Sequence, residues 1–147
     1  MIAVDTNILV YAHRQDSPWH MQAATCLRQV AEGDASWALP WPCVHEFLSI
    51  VTHPRIYSPP TAAQRALDQV SDWFRAPGLV LIGETSGYWD VLQRLIKEAK
   101  IAGPRVHDAR VAALCVHHGV TELWTADRDF SRFPEVSARN PLVALQA

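Results

Sequence analysis

Hydrophobic and polar positions along the chain fall into two kinds of stretch. Short, uninterrupted apolar runs, "MIAV" at the start, then "GLVLIG" (Gly78–Gly83) and "VTELWT" (Val120–Thr125), read as buried strands, being too brief for helices and rich in β-branched or aromatic residues. "SWALP" is a further extended piece stopped by Pro40, and "PLVALQ" (Pro141–Gln146) reads as a last strand. Between them, apolar residues recur every three or four positions, the period of a helix with one buried face. This pattern predicts helices in "DTNILVYAHR", "HMQAATCLRQVAE", "PWPCVHEFLSIVTHP", "TAAQRALDQVSDWFR", "TSGYWDVLQRLIKEAK" and "VHDARVAALCVHHG". Asp5 or Thr6 is placed to cap the first, Pro54 ends the third and a glycine ends the last.

Short apolar strands alternating with helices predict an α/β fold, a sandwich whose central, mainly parallel sheet is covered on both faces. Neither an internal repeat nor a flexible linker divides the 147 residues, so residues 1–147 are expected to form one domain. The apolar N-terminal run is broken at Asp5 and lacks a basic leader, which argues against a secretory signal, and no run approaches the length of a membrane span. Three widely spaced cysteines in apolar helical patterns suit packing in a reducing cytoplasm rather than disulfides or a zinc site. A net charge of −2 leaves room for a local basic groove but excludes a protein coated in positive charge.

The acidic residues change the picture. In parallel sheets the functional crevice lies beyond the carboxyl ends of the strands, and Asp5 and Asp127 both fall at such ends. Asp108 shares a helix face with Ala112, Cys115 and Val116, where a carboxylate needs a reason. Each has an ordinary reading taken singly: helix capping for Asp5 and Asp108, a turn for Asp127. Together they place several carboxylates at one rim, where mutual repulsion is relieved by a bound cation. Oxygen-only ligands favour magnesium, or manganese, over zinc. On pattern alone Glu46 faces away from the Val44, Phe47, Leu48 and Val51 stripe, beside Cys43 and Ile50, and reads as an exposed glutamate. The seven histidines form no metal-binding motif, His107 being the one placed next to an acidic residue of interest.

The pieces "VDTNILVYA", "HEFLSIVT", "VHDARVAAL" and "LWTADRDFSRFP" together resemble the acidic signatures of PIN-domain ribonucleases, most of all the toxins of bacterial VapBC toxin–antitoxin pairs. The resemblance runs over nearly the whole chain. It implies a PIN-like three-layer α/β/α sandwich and places the acidic site on Asp5, Glu46, Asp108 and Asp127, with Asp129 either a further ligand or a support for the loop. It implies magnesium-dependent endonucleolytic cleavage of RNA, structured RNA such as transfer RNA being the expected substrate, with water as nucleophile. Thr6, Asn7 and Thr125 are then expected to position carboxylates and water from behind. It also implies a VapB-type antitoxin and a homodimer.

Arg14, Arg105, Arg110, Arg128 and Arg132 lie near the motifs as candidate RNA contacts, Arg110 and Arg128 foremost. Trp19, Trp37 and Trp41 are candidates for stacking on bases, and the aromatics between Pro40 and Trp73 for an exposed interface. Three alternatives stand beside this reading. A haloacid-dehalogenase-like phosphatase needs a second Asp where Asn7 stands, and a receiver domain needs a late lysine that Lys97 and Lys100, both on a helix, do not supply. A PIN-like RNA-binding or scaffold protein without turnover fits the same pattern.

Overall fold

A computed structural model describes residues 1–143 of the chain. The elements run β1 (Ile2–Val4), α1 (Thr6–His13), α2 (His20–Glu32), β2 (Trp37–Pro40), α3 (Trp41–Val51), α4 (Ala63–Phe74), β3 (Leu79–Ile82), α5 (Tyr88–Ala99), α6 (Val106–His117), β4 (Glu122–Trp124) and β5 (Ala138–Arg139). The sheet has the order β3-β2-β1-β4-β5, and every pairing among the described residues is parallel. Six helices flank it. The apolar runs became strands because the middle of the sheet is covered on both faces: Ala3, Val4, Trp37, Ala38, Leu39 and Leu123 are all fully buried.

The strand order places the site. From β1 the chain moves outward through β2 to β3, then crosses back to lay β4 on the other side of β1. This reversal opens a crevice at the carboxyl end of β1, where Asp5 follows Val4. Helix α6 lies against β2 and α3. Its inner face carries Ala109, Ala112 and Ala113, all with no exposed surface, and such small side chains let a helix approach closely. Its first turn, with Asp108, thereby comes down beside the crevice.

Two expectations change. The last strand is Ala138–Arg139, not "PLVALQ": Pro141–Val143 forms a turn and bend, while the rest of that run lies outside the described residues. The aromatics between Pro40 and Trp73 mostly face inward, Phe47 being fully buried against Trp73 and His13. The exposed apolar residues of this region are Trp41, Ile56 and Leu67.

Candidate active site

Asp5 is buried and fully engaged. Its Oδ1 accepts from the Thr6 amide at 2.8 Å and from the Cys43 thiol at 3.4 Å. Its Oδ2 accepts from Thr125 Oγ1 at 2.7 Å and Asn7 Nδ2 at 3.4 Å. Burial pushes the Asp5 carboxyl up from the usual carboxylate range, and these donors pull the other way. Asn7 also ties the two strand ends together, donating to Thr125 Oγ1 at 3.2 Å and accepting from the Ala126 amide at 3.0 Å. The helix-cap reading of Asp5 therefore holds, and Thr6, Asn7 and Thr125 are gathered around its carboxylate.

The Cys43–Glu46 face of α3 divides: Glu46 is exposed, as its pattern predicts, whereas Cys43 has no exposed surface. Glu46 lines the cleft from its edge, its Oε2 accepting from Thr6 Oγ1 at 3.2 Å. Helix α3 thus packs Val44, Phe47 and Val51 into the core and sets Cys43 against Asp5. Burial, then the Asp5 charge, raises the Glu46 carboxyl. Burial holds the Cys43 thiol far above its ordinary range, so it stays protonated and donates. Cys43 is the site residue that sequence reasoning missed; its spacing of three from Glu46 put both on one helical line.

Asp108 differs from Asp5 in having no hydrogen-bond donor among the described residues, and α6 shows no side-chain cap. The capping explanation for Asp108 is thus not the one the fold uses. One carboxylate oxygen each from Asp108, Asp127 and Asp129 lie within 4.8 Å of one another. Burial, followed by the charges of Asp127, Asp129, Asp5 and Glu46, pushes Asp108 up to about 6. Asp127 is oriented by its turn: its amide donates to Thr125 Oγ1 at 3.0 Å, and its Oδ1 accepts from the Asp129 amide at 2.8 Å.

Asp5, Glu46, Asp108 and Asp127 line one cleft of about 630 Å³, with His45 and His107. Asp129 belongs to the trio with Asp108 and Asp127 but does not line the cleft, and Arg105 Nη1 lies 3.7 Å from its Oδ1. This all-oxygen set, one member of which lacks any donor, fits a hard divalent cation.

The arginines divide. Arg110 lines the cleft but is paired with Glu84 at 2.6 Å, and Arg14 is paired with Asp16 at 2.6 Å. Arg128 is exposed and makes no ion pair among the described residues. Trp37 is fully buried and unable to stack on a base, because it stands in the second strand of the sheet, paired on both sides. Trp19 and Trp41 reach the surface at 39% and 36% exposure.

The PIN domain family matches residues 2–136. Ribonuclease VapC48 of Mycobacterium tuberculosis is 34% identical over 137 residues, covering 93% of this chain and 94% of the relative. Ribonuclease VapC43 of the same organism is 32% identical over 142 residues, covering 97% and 96%. Among solved structures, VapBC2 from Rickettsia felis bound to a promoter DNA fragment superposes with a TM-score of 0.71 at 20% identity, covering 95% of this chain and 98% of that one. M. tuberculosis VapC20, a Sarcin-Ricin loop cleaving toxin, gives 0.64 at 15% identity, covering 89% and 93%.

Proposed function

The chain belongs to the PIN-domain family, within its VapC ribonuclease toxins, and from that premise we propose that it is a magnesium-dependent endoribonuclease acting on structured RNA such as transfer RNA. The observation that carries the reading to these residues is Asp108, a carboxylate without a hydrogen-bond donor, pushed up to about 6 and set beside Asp127. Asp5, Glu46, Asp108 and Asp127 are the residues that would hold the cation, with Asp129 at its margin. When bound, such an ion lowers the pKa of a water and neutralises charge on a phosphate.

The chain's own groups supply the orientation. Thr6, Cys43, Asn7 and Thr125 fix both oxygens of Asp5, so that its carboxylate meets the substrate without rearranging. Thr6 also aims Glu46, whose raised pKa suits a group that takes a proton from attacking water near neutral pH. Attack at phosphorus breaks the bond to the 3′-oxygen, which leaves with a proton, giving a 5′-phosphate and a 3′-hydroxyl.

The solved neighbours include R. felis VapBC2 and a toxin–antitoxin complex from Klebsiella pneumoniae. They support a VapB-type antitoxin as partner, and we extend the reading to a homodimer working in the cytoplasm. No helix among the described residues is long and apolar enough to cross a membrane. Incubating bulk transfer RNA with the purified protein, with and without magnesium, tests the activity. Cleavage by wild type and none by Asp5→Ala is expected; RNA bound but intact under all conditions would leave a non-catalytic binding protein instead.

A further inference from the structure

A second cleft, of about 700 Å³, adjoins the acidic one, and Asp127 lines both. Its character is opposite. Arg128 and Ser131 come from the turn after β4, Ser137, Arg139 and Asn140 from the β5 segment, and Asp127 at the border is its sole carboxylate among the described residues. Asn140 Oδ1 accepts from the Leu142 amide at 3.0 Å, which leaves its side-chain N–H groups to donate outward. Arg139 is paired with Glu122 through Nη1 at 3.4 Å, and Arg128 has no acidic partner among the described residues although it sits between Asp127 and Asp129 in sequence. Arg105 and Arg110, beside the acidic cleft, are ion-paired as Arg139 is, so that of these four arginines Arg128 alone has no carboxylate partner among the described residues.

An RNA strand carries a phosphate on both sides of any bond that is cut. On the ribonuclease reading the acidic cleft takes the reacting phosphate but repels its neighbours, and Arg110, the arginine that lines it among the described residues, is held by Glu84. We propose that the second cleft holds the RNA backbone flanking the scissile bond, with Arg128 and Arg139 as phosphate contacts and the two serines and Asn140 as hydrogen-bond donors. The strand passes over Asp127 from one cleft into the other. Guanidinium groups suit this role because their fork of donors matches phosphate oxygens. Two donor-bearing segments facing each other across an open trough suit an extended chain of phosphates better than a single terminal carboxylate. This assignment rests on the ribonuclease reading, but its test does not require turnover.

Binding of fluorescein-labelled oligouridylates to Asp108→Asn protein, followed by anisotropy in magnesium over a range of salt, gives the slope of log affinity against log salt. In that background Arg128→Ala should lower the slope by about 0.7, the value for one phosphate contact on a single strand, and adding Arg139→Ala should lower it further. Arg28→Ala, on exposed α2 surface outside both clefts, is the control and should leave the slope unchanged. Unfolding midpoints confirm that each variant is folded; Arg128→Glu serves if the double variant is not. An unchanged slope in folded Arg128→Ala and Arg128→Glu overturns the proposal. So does a loss of affinity for an oligoglutamate peptide with RNA binding intact, which would give the cleft to an acidic protein partner. Absence of cleavage by wild type with the slopes as expected would remove the enzymatic reading and leave the RNA track standing.

Discussion

Asp5 accepts four hydrogen bonds and Asp108 accepts none, so the same substitution at each has opposite expected effects on the metal-free protein. Asp5→Asn turns an acceptor towards donors that cannot all reorient, and a loss of about 1–3 kcal/mol in denaturant unfolding is expected. Asp108→Asn removes a charge the fold disfavours. Because the folded Asp108 pKa, about 6, lies above the ordinary 3.8, the native state holds its proton longer than the unfolded chain. The contribution of Asp108 to stability in chelator is therefore full below about pH 4 and is lost as pH rises through 6. Asp108→Asn should flatten this part of the fall in stability and unfold later than wild type at pH 7, the rest coming from Asp5 and Glu46, which are raised too. Cleavage should depend on Asp127 more than Asp129, since Asp127 lines the cleft while Asp129 leans on Arg105. A loss on the order of 10²–10⁴ is expected for Asp127→Asn, against roughly tenfold for Asp129→Asn. The reverse order in rate measurements would put Asp129 in the reacting position.

The elements were legible in the sequence where one period dominated. The helix His20–Glu32 coincides with the run that predicted it, and Pro40 marks the end of β2. Reading failed where a residue answered to two neighbours at once. On α3, apolar period alone separates Val44 and Phe47 from Cys43 and Glu46, whereas the fold buries the first pair in the core and turns the second towards Asp5. Nothing local tells Trp37 from a surface tryptophan, since its burial comes from strands β1 and β3, distant in sequence. β5 is two residues long and exposed, too brief for any alternation to register. One helix end holds a stability reserve. Lys100 closes α5 with φ of 54°, a left-handed conformation that costs a residue bearing a Cβ roughly 1 kcal/mol. Lys100→Gly, on the surface, should raise the midpoint of thermal unfolding by about 2–4 °C.

Around the Asp127 ridge charge is unevenly distributed: Asp5, Glu46 and Asp108 lie on one side, where the only arginine lining the cleft among the described residues, Arg110, is paired with Glu84, and Arg128 and Arg139 lie on the other, within a net charge of −2. Magnesium or manganese should therefore stabilise the native state by mass action, by about 2.7 kcal/mol at a hundredfold excess over the dissociation constant. The response should vanish in Asp5→Asn combined with Asp108→Asn; a persistent rise in that variant would place the ion elsewhere. The strand order also bears on translation. β1 is made first and lies mid-sheet, yet one of its two neighbours is β4, and the hydroxyl that reaches Asp5 Oδ2 belongs to a residue 120 positions later. At about 5–20 residues per second, a ribosome needs roughly 6 to 24 s to span that interval. A fragment stopping at Thr121 should accordingly show no magnesium-dependent rise in its unfolding midpoint. The acidic crevice of the nascent chain thus has no second wall until residues beyond Thr125 have emerged, so its carboxylates cannot gather before then.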